Sequence, residues 1–206
     1  MLEGRTIKVC AIVVTYRPDL QLLARLLDAL AGQVDQVLVL DNATPVSDVL
    51  MGSTTAVRRH RCVRNRGLAW TQNMGARWAW RVGFDAVLMM DQDSIARPGM
   101  VTELLTVASE HELAPLGAVS PRPTDAFNGR LFPIVGSRDD ALQRRWTECA
   151  FMISSGMLIS KGAWLAIGGM RADLFIDHID TEWCLRARAA GWRLAVASRA
   201  LLDHRL

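Results

Sequence analysis

Residues 8–15 read Lys-Val-Cys-Ala-Ile-Val-Val-Thr, a short run rich in β-branched side chains. Such a run is typical of a strand that is buried on both faces. Arg17-Pro18-Asp19 breaks it, and leucines then recur between positions 20 and 30 at helical spacing, before a glycine at position 32. Glycine commonly follows the last turn of a helix. The beginning of the chain therefore predicts a buried strand followed by an amphipathic helix.

The same alternation continues along the chain. Residues 36–40 and 86–90 are further apolar runs of strand length, and 57–63 is a weaker strand candidate because four of its side chains are arginine or histidine. Helices are predicted at 68–80, 100–110, 163–167 and 181–190, and further strands at 117–120 and 193–197. This β-α-β-α order predicts an α/β fold, with an open, mostly parallel sheet flanked by helices.

Length and composition limit the class of protein. The 206 residues are 50% hydrophobic, with 24 basic and 21 acidic side chains, which is too apolar and too balanced in charge for a disordered chain. One domain over 1–206 is expected. Four scattered cysteines without a CxxC pair favour a reduced, cytoplasmic chain. The net charge of +3 neither favours nor excludes binding to nucleic acid. No nucleic-acid partner is expected.

Acidic residues follow two of the predicted strands. Asp41 ends one strand, and Asp91-Gln92-Asp93 ends another. Ligands of open α/β sheets bind beyond the carboxyl ends of the strands, so these residues should meet in one crevice. Two carboxylates at positions i and i+2 suit Mg²⁺ or Mn²⁺ when a substrate adds phosphate oxygens. The alternative is ordinary turn and cap chemistry, which favours Asp without any ligand.

Asparagine and glycine mark the predicted helix at 68–80. Asn65 and Gly67 stand at its start, where backbone N–H groups and the helix dipole favour an anion. Asn73 and Gly75 lie one to two turns further on, where both oppose helix propensity. They indicate either close packing or a polar role.

A second acidic group precedes the helix at 181–190. It comprises Asp177, Asp180 and Glu182, of which one could act as a general base. Asp180 as a simple helix cap is the competing interpretation. Trp183 adjoins the group, and His204, near the end of the chain, is either a metal ligand or a surface residue.

Two further stretches have no single interpretation. Residues 121–150 are rich in proline and lack periodicity, which predicts an irregular excursion near the site, either a loop or a hairpin. Arginines at positions 58, 59, 61, 64 and 66 form a basic run. Such a run is typical of a solvated strand edge, and the alternative is contact with a phosphate or an anionic lipid.

The ordered set of motifs resembles the family 2 glycosyltransferases, which are inverting enzymes of the GT-A fold. The matching motifs are Val14-Thr15-Tyr16-Arg17-Pro18, Asp41-Asn42-Ala43-Thr44, Asn65-x-Gly67, Asn73-x-Gly75, Asp91-Gln92-Asp93-Ser94, Ser154-Ser155-Gly156, Gly168-Gly169 and the run at 177–186. The Asp-Gln-Asp-Ser motif and the Phe-Ile-Asp-x-x-Asp-x-Glu-Trp-Cys-Leu-Arg run look most like the bacterial rhamnosyltransferase branch. That branch uses dTDP-L-rhamnose to build surface polysaccharide.

The resemblance implies a role for each matching residue. Thr15 and Tyr16 would line the nucleotide pocket, and Asp41 would read the base. Asp91, Asp93 and His204 would bind a divalent metal, Mg²⁺ or Mn²⁺. Asp180, or alternatively Asp177, would be the catalytic base. The remaining substrate contacts would come from Arg17, Asn65, Gly67, Asn73, Gln92 and Trp183.

The expected activity is inverting transfer of L-rhamnose from dTDP-L-rhamnose to a hydroxyl of a polysaccharide or lipid-linked glycan. The expected location is the cytoplasm, either free or peripherally at the inner face of the plasma membrane. The chain ends two residues after His204, which predicts a minimal catalytic domain or a piece of a longer protein. A nucleotidyltransferase and a non-catalytic module that binds a sugar nucleotide remain as alternatives. A nicotinamide-dependent oxidoreductase is disfavoured, because no G-x-G-x-x-G follows the first strand.

Overall fold

A computed structural model describes residues 6–44, 56–110, 114–135 and 144–205. They form the strands β1 (Val9–Thr15), β2 (Gln36–Asp41), β3 (Val57–Arg61), β4 (Ala86–Asp91), β5 (Ile95–Ala96), β6 (Leu116–Asp125), β7 (Trp146–Glu148), β8 (Leu158–Ser160) and β9 (Arg193–His204). The helices are α1 (Leu20–Leu30), α2 (Leu68–Val82), α3 (Met100–Ala108), α4 (Lys161–Ile167) and α5 (Ile179–Ala189), with a short 3-10 helix at Ala172–Leu174. None of the helices in these ranges is long and apolar enough to cross a membrane.

The strands form one mixed sheet. Its order is β3-β2-β1-β4-β8-β6-β9-β5, and β7 pairs with β9. The first four strands are parallel neighbours, as are β6 and β9, whereas β8, β5 and β7 pair antiparallel with their neighbours. The predicted α/β class and the parallel half of the sheet are therefore confirmed. The antiparallel strands were outside the prediction of a mostly parallel sheet.

Two apolar clusters cover the two faces of the sheet. Alternate residues of β1 belong to each, with Ile12 in one cluster and Val13 in the other. α2, α4 and α5 contribute to the cluster that contains Ile12, and α1 and α3 to the cluster that contains Val13. The helices on both faces explain why the strand at β1 is apolar on both sides.

Residues 136–143 of the predicted excursion at 121–150 lie outside the described residues, and the parts at 121–135 and 144–150 are more regular than the sequence predicts. β6 continues through Pro121 and Pro123 to Asp125, and 146–148 form β7. The pairing of β6 with β8 ends at Val119. Beyond that residue β6 pairs with β9, and on its other edge the described residues show only an isolated bridge between Thr124 and Leu131. Proline, which lacks an N–H group, is tolerated where one edge of a strand has no partner. The strand also shifts register between Pro121 and Arg122, which is where a bulge accommodates proline.

The end of the chain is also more regular than predicted. β9 extends to His204 rather than stopping at 197. It pairs with β6, β7 and β5 along its length, so partners on several strands hold a segment whose own pattern is weak. This extension carries His204 to the carboxyl end of the sheet.

The four cysteines are buried thiols without a disulfide. Burial raises the pKa of Cys10, Cys149 and Cys184 to about 12. Thiols with such a raised pKa stay protonated and are poor nucleophiles at neutral pH. Their role in this fold is therefore packing.

Gly75 permits the close approach of α2 to the sheet. A Cβ atom at this position would lie 2.8 Å from Ile12 Cγ2 and 2.9 Å from Leu40 Cδ1. We expect Gly75→Ala to lower the free energy of unfolding by about 1–3 kcal/mol, because the added methyl group overpacks the interface. Chemical denaturation measures the change.

Gly162→Ala is the matched control. A Cβ atom there would meet nothing nearer than Ser160 Oγ at 3.9 Å. This change should leave stability unchanged or raise it by up to about 1 kcal/mol, because alanine restricts the unfolded chain. A Gly75→Ala variant as stable as the wild type would contradict the packing account.

Candidate functional site

The carboxyl ends of β1, β2 and β4 form the predicted crevice. Parallel pairing places Thr15 opposite Asp41 and Val14 opposite Asp91. The acidic residues that follow β2 and β4 are therefore brought to one edge of the sheet. This arrangement agrees with the expectation from strand spacing.

Gln92 joins the ends of β1 and β4. Its side-chain Oε1 accepts from the Tyr16 backbone N–H at 2.9 Å, and its Nε2 donates to the Tyr16 carbonyl at 3.3 Å. Both amide atoms of Gln92 thus contact the Tyr16 backbone, and its role as a substrate contact stays a prediction. The Tyr16 ring remains 40% exposed, with the Arg17 guanidinium 5.3 Å from its centroid. Tyr16 and Arg17 form an open wall of the crevice.

Asp41 is held in a turn at the end of β2. It is buried, and its Oδ1 accepts from the Thr44 backbone N–H at 3.0 Å and from the Thr44 hydroxyl. Its Oδ2 lies 3.5 Å from Arg61 Nε. The turn chemistry that competed with base reading in the sequence is therefore present. Only the oxygen that faces Arg61 remains for a ligand.

Asn42 connects β2 to the start of α2. Its Nδ2 donates to Asn65 Oδ1 at 2.7 Å, and its Oδ1 accepts from the Arg66 backbone N–H at 3.2 Å. Asn65 Oδ1 also accepts from the Gly67 N–H at 2.9 Å. The sequence alone predicts no role for Asn42, although Asn42 lies within the Asp41-Asn42-Ala43-Thr44 motif. Asn65, in turn, organises the backbone of this loop.

The start of α2 is covered rather than open. Ala69 N–H donates to the Phe175 carbonyl at 3.3 Å. A Cβ atom on Gly67 would lie 2.5 Å from that same carbonyl oxygen, so glycine is required by the approach of Phe175. The prediction of bare N–H groups for an anion is wrong for Ala69. Gly67 has a packing role here.

Three carboxyl groups crowd the carboxyl end of β4. Burial, and then the negative charges of Asp93 and Asp180, raise the pKa of Asp91 to about 7. Among the residues that the structure describes, no basic side chain forms an ion pair with Asp91 or Asp93. A cation at this position would therefore relieve mutual repulsion.

A chain of buried hydroxyls links β4 to β9. Ser155 Oγ accepts from the Asp91 backbone N–H at 3.2 Å and lies 2.9 Å from Ser94 Oγ. Ser94 Oγ lies 2.7 Å from His204 Nδ1. Burial lowers the pKa of His204, and the negative charge of Asp93 opposes this effect. The chain fixes the imidazole beside Asp93, and the direction of its hydroxyl protons follows the tautomer of His204.

The donor set of this cluster fits a divalent cation that shares its ligands with a substrate. No group of three or more His, Cys, Asp or Glu side chains gathered for a metal occurs in the described parts of the chain. Mg²⁺, however, commonly takes one or two carboxylates and completes its shell with water and substrate phosphates. The crowded pair Asp91 and Asp93 meets that requirement. Because Ser94 contacts Nδ1 of His204, Nε2 is the nitrogen that could serve as a further ligand.

Asp180 faces this cluster from the first turn of α5. Its Oδ2 accepts from the Ser154 N–H at 3.1 Å, and its Oδ1 accepts from the Thr181 N–H at 2.7 Å. The cap position of α5 belongs to His178, which has a positive φ of 61°. Asp180 is therefore not the helix cap. Asp177 is exposed.

The loop at 167–170 is joined to α5 by hydrogen bonds. Trp183 is fully buried and donates its indole N–H to the Gly168 carbonyl at 2.8 Å. Arg186 donates to the carbonyls of Ile167 and Gly169 at 2.6 and 2.8 Å, while it also pairs with Glu182 at 2.9 Å. These contacts fix the helix that carries Asp180.

Three predicted substrate contacts are buried parts of the scaffold. Trp183 has no exposed surface to offer a sugar. Asn73 exchanges two hydrogen bonds with the Met170 backbone, at 2.7 and 2.8 Å, so its amide is already used. Thr15 is completely buried. These three side chains therefore expose little or no surface in this structure, and their roles as substrate contacts stay predictions.

An apolar groove borders His204. It has a volume of about 250 Å³. β6 supplies Pro121 and Pro123, and the following turn and the segment before β8 supply Phe132 and Phe151. Met152 and Ile153 also line it, and they directly precede Ser154, whose N–H contacts Asp180. The groove thus lies beside His204, and the chain leads from its lining to the residue that contacts Asp180.

The sequence matches a family model described as "Glycosyltransferase like family 2" over residues 5–205. The chain therefore belongs to this family. The match favours sugar transfer over the nucleotidyltransferase and oxidoreductase alternatives.

Curated proteins with similar sequences include two that match most of this chain. The chain is 31% identical over 187 residues to the dTDP-rhamnosyl transferase RfbF of Shigella flexneri, a match that covers 85% of this chain and 62% of RfbF. It is 25% identical over 147 residues to the uncharacterized protein Mb1552 of Mycobacterium bovis, covering 68% of this chain and 54% of Mb1552. The chain thus spans somewhat over half the length of these relatives.

Solved structures share the fold. GalNAc-T7 with UDP, GalNAc and Mn²⁺ has a TM-score of 0.77 at 11% identity, over 97% of this chain and 44% of that one. The S. aureus TarS fragment 1–349 in complex with UDP-GlcNAc has a TM-score of 0.68 at 16% identity, over 97% of this chain and 59% of that one. These similarities confirm the predicted GT-A fold.

The raised pKa of Asp91 makes a prediction about metal-free protein. Between its unfolded pKa near 3.8 and its folded pKa of about 7, the folded state retains a proton that the unfolded state has lost. Stability from this group should therefore fall as pH rises through that range. We expect Asp91→Asn to stabilise the protein more at about pH 8 than at about pH 4. At the higher pH the neutral amide replaces a carboxylate whose charged form is disfavoured by burial and by the charges of Asp93 and Asp180.

Chemical denaturation in the presence of a chelator measures the difference. Asp177→Asn is the control, since Asp177 is an exposed carboxyl outside the cluster. It removes one carboxyl group and leaves the cluster unchanged. A gain from Asp91→Asn that is the same at both pH values would contradict the electrostatic account of this cluster.

Proposed function

We propose that the protein is an inverting glycosyltransferase that moves L-rhamnose from dTDP-L-rhamnose to a hydroxyl group of a glycan. The observation that carries the proposal is the convergence of Asp91, Asp93 and Asp180 at the carboxyl end of β4. One carboxylate of such a group can take a proton from the acceptor, while the others favour a cation beside the leaving diphosphate. The family match supplies the reaction class.

The choice of donor rests on the similarity to RfbF, which is described as a dTDP-rhamnosyl transferase. The crevice has groups suited to a nucleotide. Tyr16 offers an exposed ring for a base, and the carboxylate oxygen of Asp41 that faces Arg61 can accept from a base N–H. Asn42 and Asn65 position the backbone of the adjoining loop. These contacts support a nucleoside diphosphate sugar as donor.

Asp180 is the proposed base, in preference to Asp177. Both oxygens of Asp180 accept a backbone N–H, which fixes the direction in which the carboxylate points. Its charge also acts on Asp91, so it lies within electrostatic reach of the proposed leaving group. Asp177 is exposed and lies three residues before Asp180, outside α5. A fixed carboxylate within reach of the reacting hydroxyl is what general base catalysis needs.

Asp91, Asp93 and His204 would hold a Mg²⁺ or Mn²⁺ ion. The ion would supply positive charge that stabilises the diphosphate as it leaves. GalNAc-T7, which shares the fold, was solved with UDP and Mn²⁺. The protein residues have their own part in this step, since Ser155 and Ser94 keep Asp91 and His204 in place through buried hydrogen bonds.

The acceptor would approach through the apolar groove beside His204. A groove lined by proline, phenylalanine and methionine suits the less polar face of a sugar ring or the first atoms of a lipid carrier. Met152 and Ile153 lead from the groove to Ser154, which contacts Asp180. An acceptor in the groove would thus present its hydroxyl to the proposed base. No covalent intermediate with the protein is needed in this reaction.

Asp180→Asn tests the proposal. The amide cannot take a proton, so release of dTDP from dTDP-L-rhamnose should fall by about 10²–10⁴-fold in the presence of Mn²⁺. Transfer to water suffices for the assay, because the same base would activate a water molecule in place of the acceptor. Binding of dTDP should remain close to that of the wild type.

Asp177→Asn is the matched control and should retain most of the activity. The reverse pattern, with Asp177→Asn inactive and Asp180→Asn active, would transfer the base role to Asp177. A wild-type chain that binds dTDP-L-rhamnose but releases no dTDP would instead support the non-catalytic alternative.

A further inference from the structure

Positive charge is concentrated in residues 56–84. This segment contains seven of the 24 lysine and arginine residues of the chain, together with His60, and none of its 21 acidic residues. The rest of the chain therefore has 17 basic and 21 acidic residues, so the net charge of +3 conceals a strong asymmetry. Such an asymmetry indicates an anionic partner.

The fold gathers part of this charge on one surface. β3 is the edge strand of the sheet, and its Arg58 and His60 pair in register with Leu38 and Leu40. Those leucines belong to the apolar cluster that packs against α2, so Arg58 and His60 lie on the α2 side of the sheet. Exposed arginines of α2 face them. We call the resulting surface the basic face; it comprises Arg58, His60, Arg66, Arg77 and Arg81.

Two tryptophans of α2 lie on this face. Trp70 and Trp78 are eight residues apart, which places them on one side of the helix, and both are half-buried. The Arg66 guanidinium lies 4.7 Å from the Trp70 ring centroid, and that of Arg58 lies 5.8 Å from the Trp78 centroid. Arginine thus covers both indole rings.

The basic face surrounds a hollow. Its volume is about 380 Å³. Leu38, Leu40 and Met74 provide an apolar floor, and Arg58, Arg77 and Arg81 stand around it. Within the described residues, none of these three arginines forms an ion pair with an acidic side chain. Cations that repel one another around an apolar floor would be stabilised by a ligand with an anionic head and an apolar body.

We propose that the basic face docks the protein on an anionic lipid bilayer. Lipid phosphates would pair with the arginines, while the hollow and the tryptophans would take the adjoining glycerol and upper acyl groups. A single-stranded nucleic acid fits less well, because its bases would stack on open aromatic rings and here arginine covers both.

The basic face lies next to the crevice. The Arg66 backbone N–H donates to Asn42 Oδ1, so the face begins at the mouth of the crevice. Docking through the arginines would hold the crevice beside the bilayer surface. The inference concerns surface charge alone and does not depend on the donor or on the base.

Vesicle sedimentation tests the proposal with the whole chain. Vesicles of phosphatidylcholine alone are compared with vesicles that contain roughly one third phosphatidylglycerol. The protein should sediment with the anionic vesicles at low salt, lose binding as NaCl is raised, and ignore the neutral vesicles. Absence of binding to anionic vesicles at low salt would overturn the proposal.

The double variant Arg77→Gln/Arg81→Gln should reduce the partition onto anionic vesicles by about tenfold or more, since each arginine near such a surface contributes appreciably. Arg25→Gln/Arg188→Gln is the control with the same change in charge. Both of its positions are exposed on helices, Arg25 on α1 across the sheet and Arg188 on α5, which packs on β9 far from β3.

Equal losses in the two double variants would mean that only net charge matters, and the basic face would lose its role. Circular dichroism should show the same fold for both, because glutamine suits exposed helical positions. Stronger retention by single-stranded DNA than by anionic vesicles would also overturn the choice of partner.

Discussion

Mutual repulsion between Asp91, Asp93 and Asp180 is the constraint on which the site depends. The three carboxyl groups converge without a basic side chain paired to Asp91 or Asp93 among the described residues. Burial, and then the negative charges of Asp93 and Asp180, disfavour the ionised form of Asp91 in the protein alone and raise its pKa. The arrangement persists because the surrounding structure fixes each group separately. A bound cation, itself paired with a diphosphate, would offset the repulsion between the carboxylates.

Each carboxylate has its own support. Asp91 ends β4, whose preceding residues are completely buried in the centre of the sheet, and its backbone is bonded to Ser155. Asp180 is fixed by two backbone N–H groups. Behind it, Trp183 and Arg186 attach α5 to the loop at 167–170. Motif residues that contact no ligand can therefore still determine the geometry of the site.

The crevice could be predicted from sequence because parallel strands that are buried on both faces have a clear pattern. Once 36–40 and 86–90 are identified as such strands, the positions of Asp41 and Asp91 follow. The roles of Trp183 and Asn73 could not be predicted, because they depend on where a distant loop packs. Ser94 and Ser155 lie within quoted motifs, but their hydrogen-bonding roles could not be predicted because small buried hydroxyls leave no periodic signal.

The full length of β6 and β9 could not be predicted from the sequence pattern, for a different reason. Proline normally interrupts a strand, but beyond Val119 β6 has a continuous partner strand on only one edge among the described residues, so Pro121 and Pro123 remain compatible with it. Its partner β9 then reaches His204, which comes to the same edge of the sheet as Asp93. Long-range pairing, rather than local preference, completes the site.

Calorimetric titration of dTDP into the protein, with and without Mn²⁺, tests most directly whether the carboxyl cluster binds a cation and a diphosphate together. The account predicts that Mn²⁺ tightens dTDP binding by about tenfold or more, because the ion takes ligands from both partners. In Asp93→Asn this effect of Mn²⁺ should be lost. Equal dTDP affinity with and without Mn²⁺ in the wild type would contradict the account.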